Sequence, residues 1–87
     1  MLTNVRELGA ALQRRRVELD LSQAQLCKRA GVARSWLSRL EAGKHPGAEV
    51  QKVLDVAVAL GMSFALVPTP SAPPSHDPFD DLFEGRQ

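Results

Sequence analysis

SQAQLCKRAGVARSWLSRLEAG, residues 22 to 43, contains the signals for two short helices joined by a tight turn. Ser22 and Gln25 have the spacing of a capping box, in which each side chain bonds the other residue's backbone amide at a helix start. Gly31 supplies a left-handed turn conformation that a residue with a Cβ resists, so the first helix is expected to end there. Gly43 is placed to end the second helix in the same way.

The second of these helices is amphipathic. Val32, Leu37 and Leu40 predict its contact with a core. The other face is basic, and it is free of carboxylates until the helix end; it carries Arg34, Ser35, Ser38 and Arg39. Charged helix faces are usually solvated surface, but a capped helix, a glycine turn and a basic second helix seldom occur together. The combination predicts a helix-turn-helix, whose second helix enters the major groove of DNA.

Two further helices complete the predicted bundle. The first covers about residues 4–18, with Val5, Leu8 and Leu12 on one face. The last covers about residues 48–60 and ends at Gly61. Its apolar residues recur at intervals of three or four residues: Val50, Val53, Leu54, Ala57 and Leu60. We therefore predict an all-α DNA-binding domain over residues 1–61.

Continuing the apolar stripe of the first helix by four residues gives Arg16, a charge on the core face. Glu41, at the end of the third helix, could accept its guanidinium bidentately and satisfy it. The alternative is that Arg16 extends to solvent at the helix end. The neighbouring Arg14 and Arg15 are interpreted as exposed charges.

These features resemble the XRE, or lambda-repressor and Cro, family of DNA-binding domains over roughly residues 5–60. The resemblance implies a lambda-repressor-like bundle, and it supports the pair Arg16–Glu41. It also implies phosphate contacts at Ser22 and Gln23 and base-facing positions at Ala33, Arg34, Ser35, Ser38 and Arg39. Ala33 departs from the family, which often has a capping Ser or Thr there, and Asp20 replaces a common turn glycine. A missing cap costs about 1 kcal/mol and Asp tolerates the left-handed conformation, so neither departure argues against the fold.

Four other residues each have a side chain that could serve a separate role. Lys44, in the loop after the third helix, is a candidate phosphate contact. His45 has no second His, Cys or carboxylate cluster near it, so we predict a loop residue and no metal. Cys27 lacks a His or Asp companion for nucleophilic chemistry and is predicted to fill the core. Trp36 is expected to be partly buried, with stacking on DNA as the less favoured alternative.

Length and composition favour a small single domain that is not an enzyme. Eighty-seven residues allow one modest core. The chain has no paired carboxylates in a plausible cleft, no nucleophile with a base and no phosphate-binding glycine loop, so no cofactor is expected. It shows neither a signal peptide nor an apolar run near the roughly 20 residues of a membrane span. We therefore expect a cytoplasmic, nucleoid-associated protein.

The run MSFALV, at positions 62–67, is apolar, strand-compatible and terminated by Pro68. No other segment could pair with it, and a lone strand leaves its backbone unpaired. A second copy could supply an antiparallel partner, giving a homodimer on a palindromic double-stranded operator. The predicted dimer strand consists of Met62, Ser63, Phe64, Ala65, Leu66 and Val67. The alternative is an irregular segment packed against the fourth helix.

Charge divides the chain in two. Residues 1–67 carry ten Lys and Arg against six Asp and Glu, whereas residues 68–87 carry one Arg against four acids. A basic body suits phosphate binding. The proline-rich residues 68–78 predict a linker. Asp77 and Pro78 suit a helix start, after which three apolar residues share a face and could bind a partner: Phe79, Leu82 and Phe83. The alternative is an unstructured acidic tail.

A helix-turn-helix followed directly by a short strand and a tail resembles the HipB-type antitoxins. That resemblance implies a dimer that represses its own operon and binds a HipA-type serine/threonine kinase toxin. Two other functions stay open: a stand-alone transcriptional repressor without a toxin, and a protein-interaction adaptor that does not bind DNA. Arg34 and Arg39 distinguish the adaptor from the repressors, and the tail distinguishes the two repressors.

Overall fold

A computed structural model describes residues 2–69 of the chain. It contains four helices: α1 (Val5–Glu18), α2 (Gln23–Ala30), α3 (Arg34–Glu41) and α4 (Val50–Ala59). α1 packs against α3, and α2 packs against both α3 and α4. The predicted all-α bundle is confirmed, although α4 begins at Val50, later than the position 48 expected, because Glu49 is its extended N-cap residue.

Local sequence signals set the helix ends. The Asn4 side chain accepts from the Glu7 amide at the start of α1, at 2.8 Å. Ser22 and Gln25 form both bonds of the predicted capping box, at 2.8 and 3.0 Å. Gly31 ends α2 in the left-handed conformation, with φ of 74°.

The core lies where the four helices meet. Its six innermost side chains are almost inaccessible to solvent: Leu12, Leu26, Leu37, Leu40, Val56 and Leu60. Burying such a side chain stabilises a fold by about 1.5–3 kcal/mol. Cys27 is buried beside them, and desolvation raises the pKa of its thiol, as expected of a residue that only packs.

An ion pair between α1 and the end of α3 lies at the edge of this core. Arg16 Nε donates to Glu41 Oε2 at 2.7 Å, and Arg16 Nη2 donates to Glu41 Oε1 at 3.1 Å. Arg16 Nη1 donates to the Leu21 carbonyl at 2.7 Å. The Arg16 side chain is 12% exposed and that of Glu41 is 2% exposed. Arg16 therefore does not extend to solvent, and the pair has the bidentate geometry of a strong charge-assisted contact.

α1 and α3 are in close backbone contact at Gly9, which is buried in α1. A Cβ at this position would overlap the Leu40 carbonyl oxygen and lie 3.1 Å from the carbonyl carbon. Gly43, just after α3, has φ of 73°, and a Cβ there would lie 2.9 Å from Arg6 Cα. Two glycines thus allow the backbone of α1 to touch the end of α3.

Residues 62–69 have no regular secondary structure in the single chain, so the strand predicted at 62–67 is not formed there. The Met62 amide donates to the Ala57 carbonyl at 2.8 Å, whereas residues 63–69 make no backbone-to-backbone hydrogen bond with the rest of the described chain. The predicted tail helix, with Phe79, Leu82 and Phe83, lies outside the described residues. Within residues 2–69, no helix is long and apolar enough to cross a membrane.

Replacing Gly9 by Ala is expected to lower the free energy of unfolding by about 1–3 kcal/mol, because overpacking at the α1–α3 contact exceeds the gain of about 1 kcal/mol in helix propensity. Urea denaturation measures the change. Gly47→Ala is the matched control, since a Cβ there meets nothing within 4 Å. A Gly9→Ala protein as stable as the Gly47→Ala protein would contradict the close contact.

Replacing Glu41 by Gln is expected to lower the free energy of unfolding by about 3 kcal/mol, because Arg16 would stay buried without a counter-charge. Glu18→Gln is the control: Glu18 is 58% exposed, and its 3.8 Å contact with Arg15 is worth at most about 1 kcal/mol. Equal denaturation midpoints for the two variants would show that buried Arg16 does not need the charge of Glu41 for stability.

Candidate nucleic-acid interface

α3 presents an exposed polar face opposite its core face. Its exposed residues, together with the N-cap residue, are Ala33, Arg34, Ser35, Ser38 and Arg39. Glu41, the only acid in α3, points inward to Arg16. Neither Arg34 nor Arg39 makes a salt bridge or a side-chain hydrogen bond within residues 2–69. Their guanidinium groups are therefore available to outside acceptors.

The side-chain rows on this face follow helical spacing. Arg34 and Ser38 are four residues apart, as are Ser35 and Arg39, so they form two adjacent rows along the exposed surface. Within the described residues, no side chain caps the start of α3, because Ala33 has no acceptor. The face offers hydrogen-bond donors and small groups, and it presents no negative charge.

The start of α2 offers a second set of donors. The Ser22 oxygen accepts from the Gln25 amide, while its hydroxyl proton stays free to donate. The amides of Gln23 and Ala24, at the first two helical positions, have no acceptor inside the helix. Helix starts of this kind favour anions such as phosphate.

Gln23 also has a role that the sequence did not indicate. Its Nε2 donates to Glu41 Oε1 at 3.0 Å, which ties α2 to the ion pair between α1 and α3. This nitrogen is thus engaged inside the protein, and a phosphate contact at Gln23 is left to its backbone amide and its remaining side-chain atoms. Gln23 is simply a polar residue at the first position of a helix, and nothing in the local sequence indicates that its partner is Glu41, 18 residues away.

Lys44 lies in the loop after α3 and is exposed. The backbone of this loop is held by the Lys44 amide, which donates to the Arg39 carbonyl at 2.9 Å. His45 packs edge-on against Trp36, with ring centroids 5.6 Å apart and an interplanar angle of 75°. Trp36 is half-buried against the core, as expected, and Lys52 Nζ lies 5.9 Å from its ring. These contacts position the loop that carries Lys44.

Arg15 is the other residue whose role was missed. Its Nε donates to the Leu60 carbonyl at 3.1 Å, so it joins α1 to the end of α4 and is half-buried. Arg14 is exposed, as predicted. Since the bond spans 45 residues, no local pattern could distinguish these two neighbouring arginines.

The described residues offer no place for a metal, since no group of three or more His, Cys, Asp or Glu side chains comes together in residues 2–69. What the surface around α3 offers is donation from guanidinium, hydroxyl, ammonium and amide groups. These are the groups that proteins use to bind phosphates and the acceptor edges of bases.

Comparison with known proteins supports this interpretation. A family model described as a helix-turn-helix domain matches residues 7–69, which include α2, the turn and α3. No curated protein and no solved structure matches the chain significantly. A domain of this kind indicates a DNA-binding regulator. Since the match covers well over half of the sequence, the chain belongs to the helix-turn-helix domain family, and its domain is XRE-like.

Proposed function

We propose that this protein is a sequence-specific transcriptional repressor that binds a palindromic operator as a dimer and serves as the antitoxin of a HipA-type kinase, regulating its own operon. The observation that carries the DNA-binding part is the exposed, carboxylate-free face of α3. In this proposal the protein is not an enzyme and acts entirely through binding.

α3 enters the major groove with its polar face toward the bases. Arg34 and Arg39 each donate two hydrogen bonds to a guanine, one to O6 and one to N7. This is the most common specific contact of arginine with DNA. Ser35 and Ser38 form hydrogen bonds with donor or acceptor groups on the base edges. The methyl group of Ala33 makes an apolar contact with the methyl group of a thymine. Because α3 is held by the Arg16–Glu41 pair, these side chains reach the DNA in a defined orientation.

Phosphate contacts set the register of α3 on the duplex. The free amides at the start of α2 and the Ser22 hydroxyl bind one phosphate region, and Lys44 binds another beyond the end of α3. Residues 1–67 carry a net charge of +4. Affinity therefore falls as the salt concentration rises, because DNA binding releases counterions.

Dimerisation through residues 62–67 gives the protein its two-fold symmetry. The support is the run of backbone groups at 63–67 that bond to nothing else in the described chain. A two-fold axis would present two α3 helices to half-sites about 34 Å, one DNA turn, apart.

The antitoxin role rests on resemblance and on the tail, which is outside the described residues. Phe79, Leu82 and Phe83 are spaced to anchor a short helix in a groove of the kinase, and four acids accompany them in an 18-residue stretch. A stand-alone repressor would share the DNA mechanism and lack this partner. An adaptor would lack the DNA mechanism.

Arg34→Ala and Arg39→Ala are each expected to weaken binding to the DNA that precedes the gene by about 10- to 100-fold, with a smaller loss on an unrelated duplex of equal length. Lys44→Ala should weaken binding to both duplexes alike and reduce the slope of affinity against salt by about 1. Fluorescence anisotropy over a salt series measures all three.

Arg29→Ala is the control for these variants. It also removes one positive charge, but Arg29 lies beside Asp55 and Val58 of α4 and not on the exposed face of α3. Undiminished binding by the Arg34→Ala, Arg39→Ala double variant would contradict groove reading and favour the adaptor.

The tagged full-length protein is expected to co-purify from its native cell, after nuclease treatment, with a stoichiometric serine/threonine kinase identified by mass spectrometry. A chain ending at Val67 should lose this partner, and so should a full-length chain with Ala at 79, 82 and 83. Ala at Pro73 and Pro74 is the control. Recovery of a homodimer alone would favour the stand-alone repressor.

A further inference from the structure

An apolar groove with a volume of about 440 Å³ opens along one side of α4. Its walls include Val5 and Leu8 of α1, Val50 and Leu54 of α4, and Phe64 and Leu66 of the segment that follows α4. Val50 is 72% exposed and Leu66 is fully exposed. Single soluble chains seldom leave a contiguous apolar surface of this kind open to water without using it for binding.

Exposed apolar side chains lie along α4 and beside the groove. Val50, Leu54 and Val58 form an exposed row at intervals of four along α4, and the exposed Phe64 and Leu66 line the groove together with Val50 and Leu54.

In the segment that follows α4, several consecutive backbone N–H groups are free to bond to another strand. The Met62 amide is already bonded to Ala57, and Pro68 has no amide proton, so the run with free donors is residues 63–67. The centre of that run is Ala65. A second copy of the chain pairing antiparallel through all five residues would therefore place Ala65 opposite the partner's Ala65.

Symmetry then decides which side chains meet. The two-fold axis of such a ribbon stands perpendicular to it, so equivalent residues of both copies lie on the same face. Phe64 comes opposite the partner's Leu66, and Ser63 comes opposite the partner's Val67. Side chains alternate along a strand, and Phe64 and Leu66 both line the groove. All four Phe and Leu side chains of the ribbon thus face the two grooves.

We propose that the groove is occupied by a second copy of this chain, with the two 63–67 segments paired antiparallel about Ala65 and the Phe64–Leu66 layer covering α4 of both protomers. The inference rests on the dimer of the proposed function and adds its register and its second contact surface. A two-stranded ribbon is marginal by itself in water, and packing on the grooves supplies the apolar contact that it needs.

Cysteine cross-linking of the full chain tests the register. Ala65→Cys is expected to give a covalent homodimer with a short bifunctional thiol reagent, because the two sites face each other on the axis. Ser63→Cys is the matched control: its two copies would lie about 13 Å apart along the ribbon. A mixture of the Ser63→Cys and Val67→Cys proteins should cross-link. The unaltered chain, whose Cys27 is buried, gives the background.

Sedimentation equilibrium tests the groove. Leu54→Lys is expected to weaken dimerisation at least 10-fold, whereas Val17→Lys, at an exposed position of α1 outside the groove, should leave it unchanged. A monomer at all concentrations would refute both the dimer and this inference. A dimer that cross-links better at position 63 than at position 65 would overturn the register but not the dimer. A dimer that tolerates Leu54→Lys would overturn the groove contact but not the dimer. A monomer that dimerises only when residues 70–87 are removed would assign the groove to the tail.

Discussion

The orientation of α3 depends on the buried pair between Arg16 and Glu41. The guanidinium binds both carboxylate oxygens and the Leu21 carbonyl, and Gln23 adds a bond from α2. One carboxylate thus joins three helices. A buried ion pair adds little net stability compared with apolar residues of the same shape, but removing one partner leaves an uncompensated charge. The pair therefore selects one arrangement of the helices over its alternatives, and the exposed face of α3 inherits that geometry.

Features that depend on neighbours in the sequence were predictable, and those that depend on distant neighbours were not. The capping box at Ser22 and the glycine turn at Gly31 are local, and Arg16 was evident because a charge interrupted an apolar stripe. The contacts of Gly9, Arg15 and Gln23 are set by how the helices cross, which periodicity does not report. The strand predicted at 62–67 is not formed in the described chain, because a strand needs a second segment to pair with and residues 2–69 offer none.

The exposed polar residues and the fold-determining residues of α3 occupy different sides of one short helix. Leu37, Leu40 and Glu41 pack inward, whereas Arg34 and Arg39 make no polar contact within the described part of the chain. Exposed residues without partners can be replaced with little effect on stability. The polar groups that α3 presents can therefore change by substitution on the outer face while the bundle stays the same.

The contact of Gly9 with the Leu40 carbonyl joins α1 to α3 through backbone atoms alone. Side-chain contacts can absorb a displacement by changing rotamer, but two touching backbones have no rotamers to change. A displacement of α1 at Gly9 therefore presses directly on the backbone at the end of α3. Val5, one helical turn before Gly9, and Leu8, directly before Gly9, both line the apolar groove. Whatever fills that groove thus contacts the same stretch of α1 that touches the backbone at the end of α3.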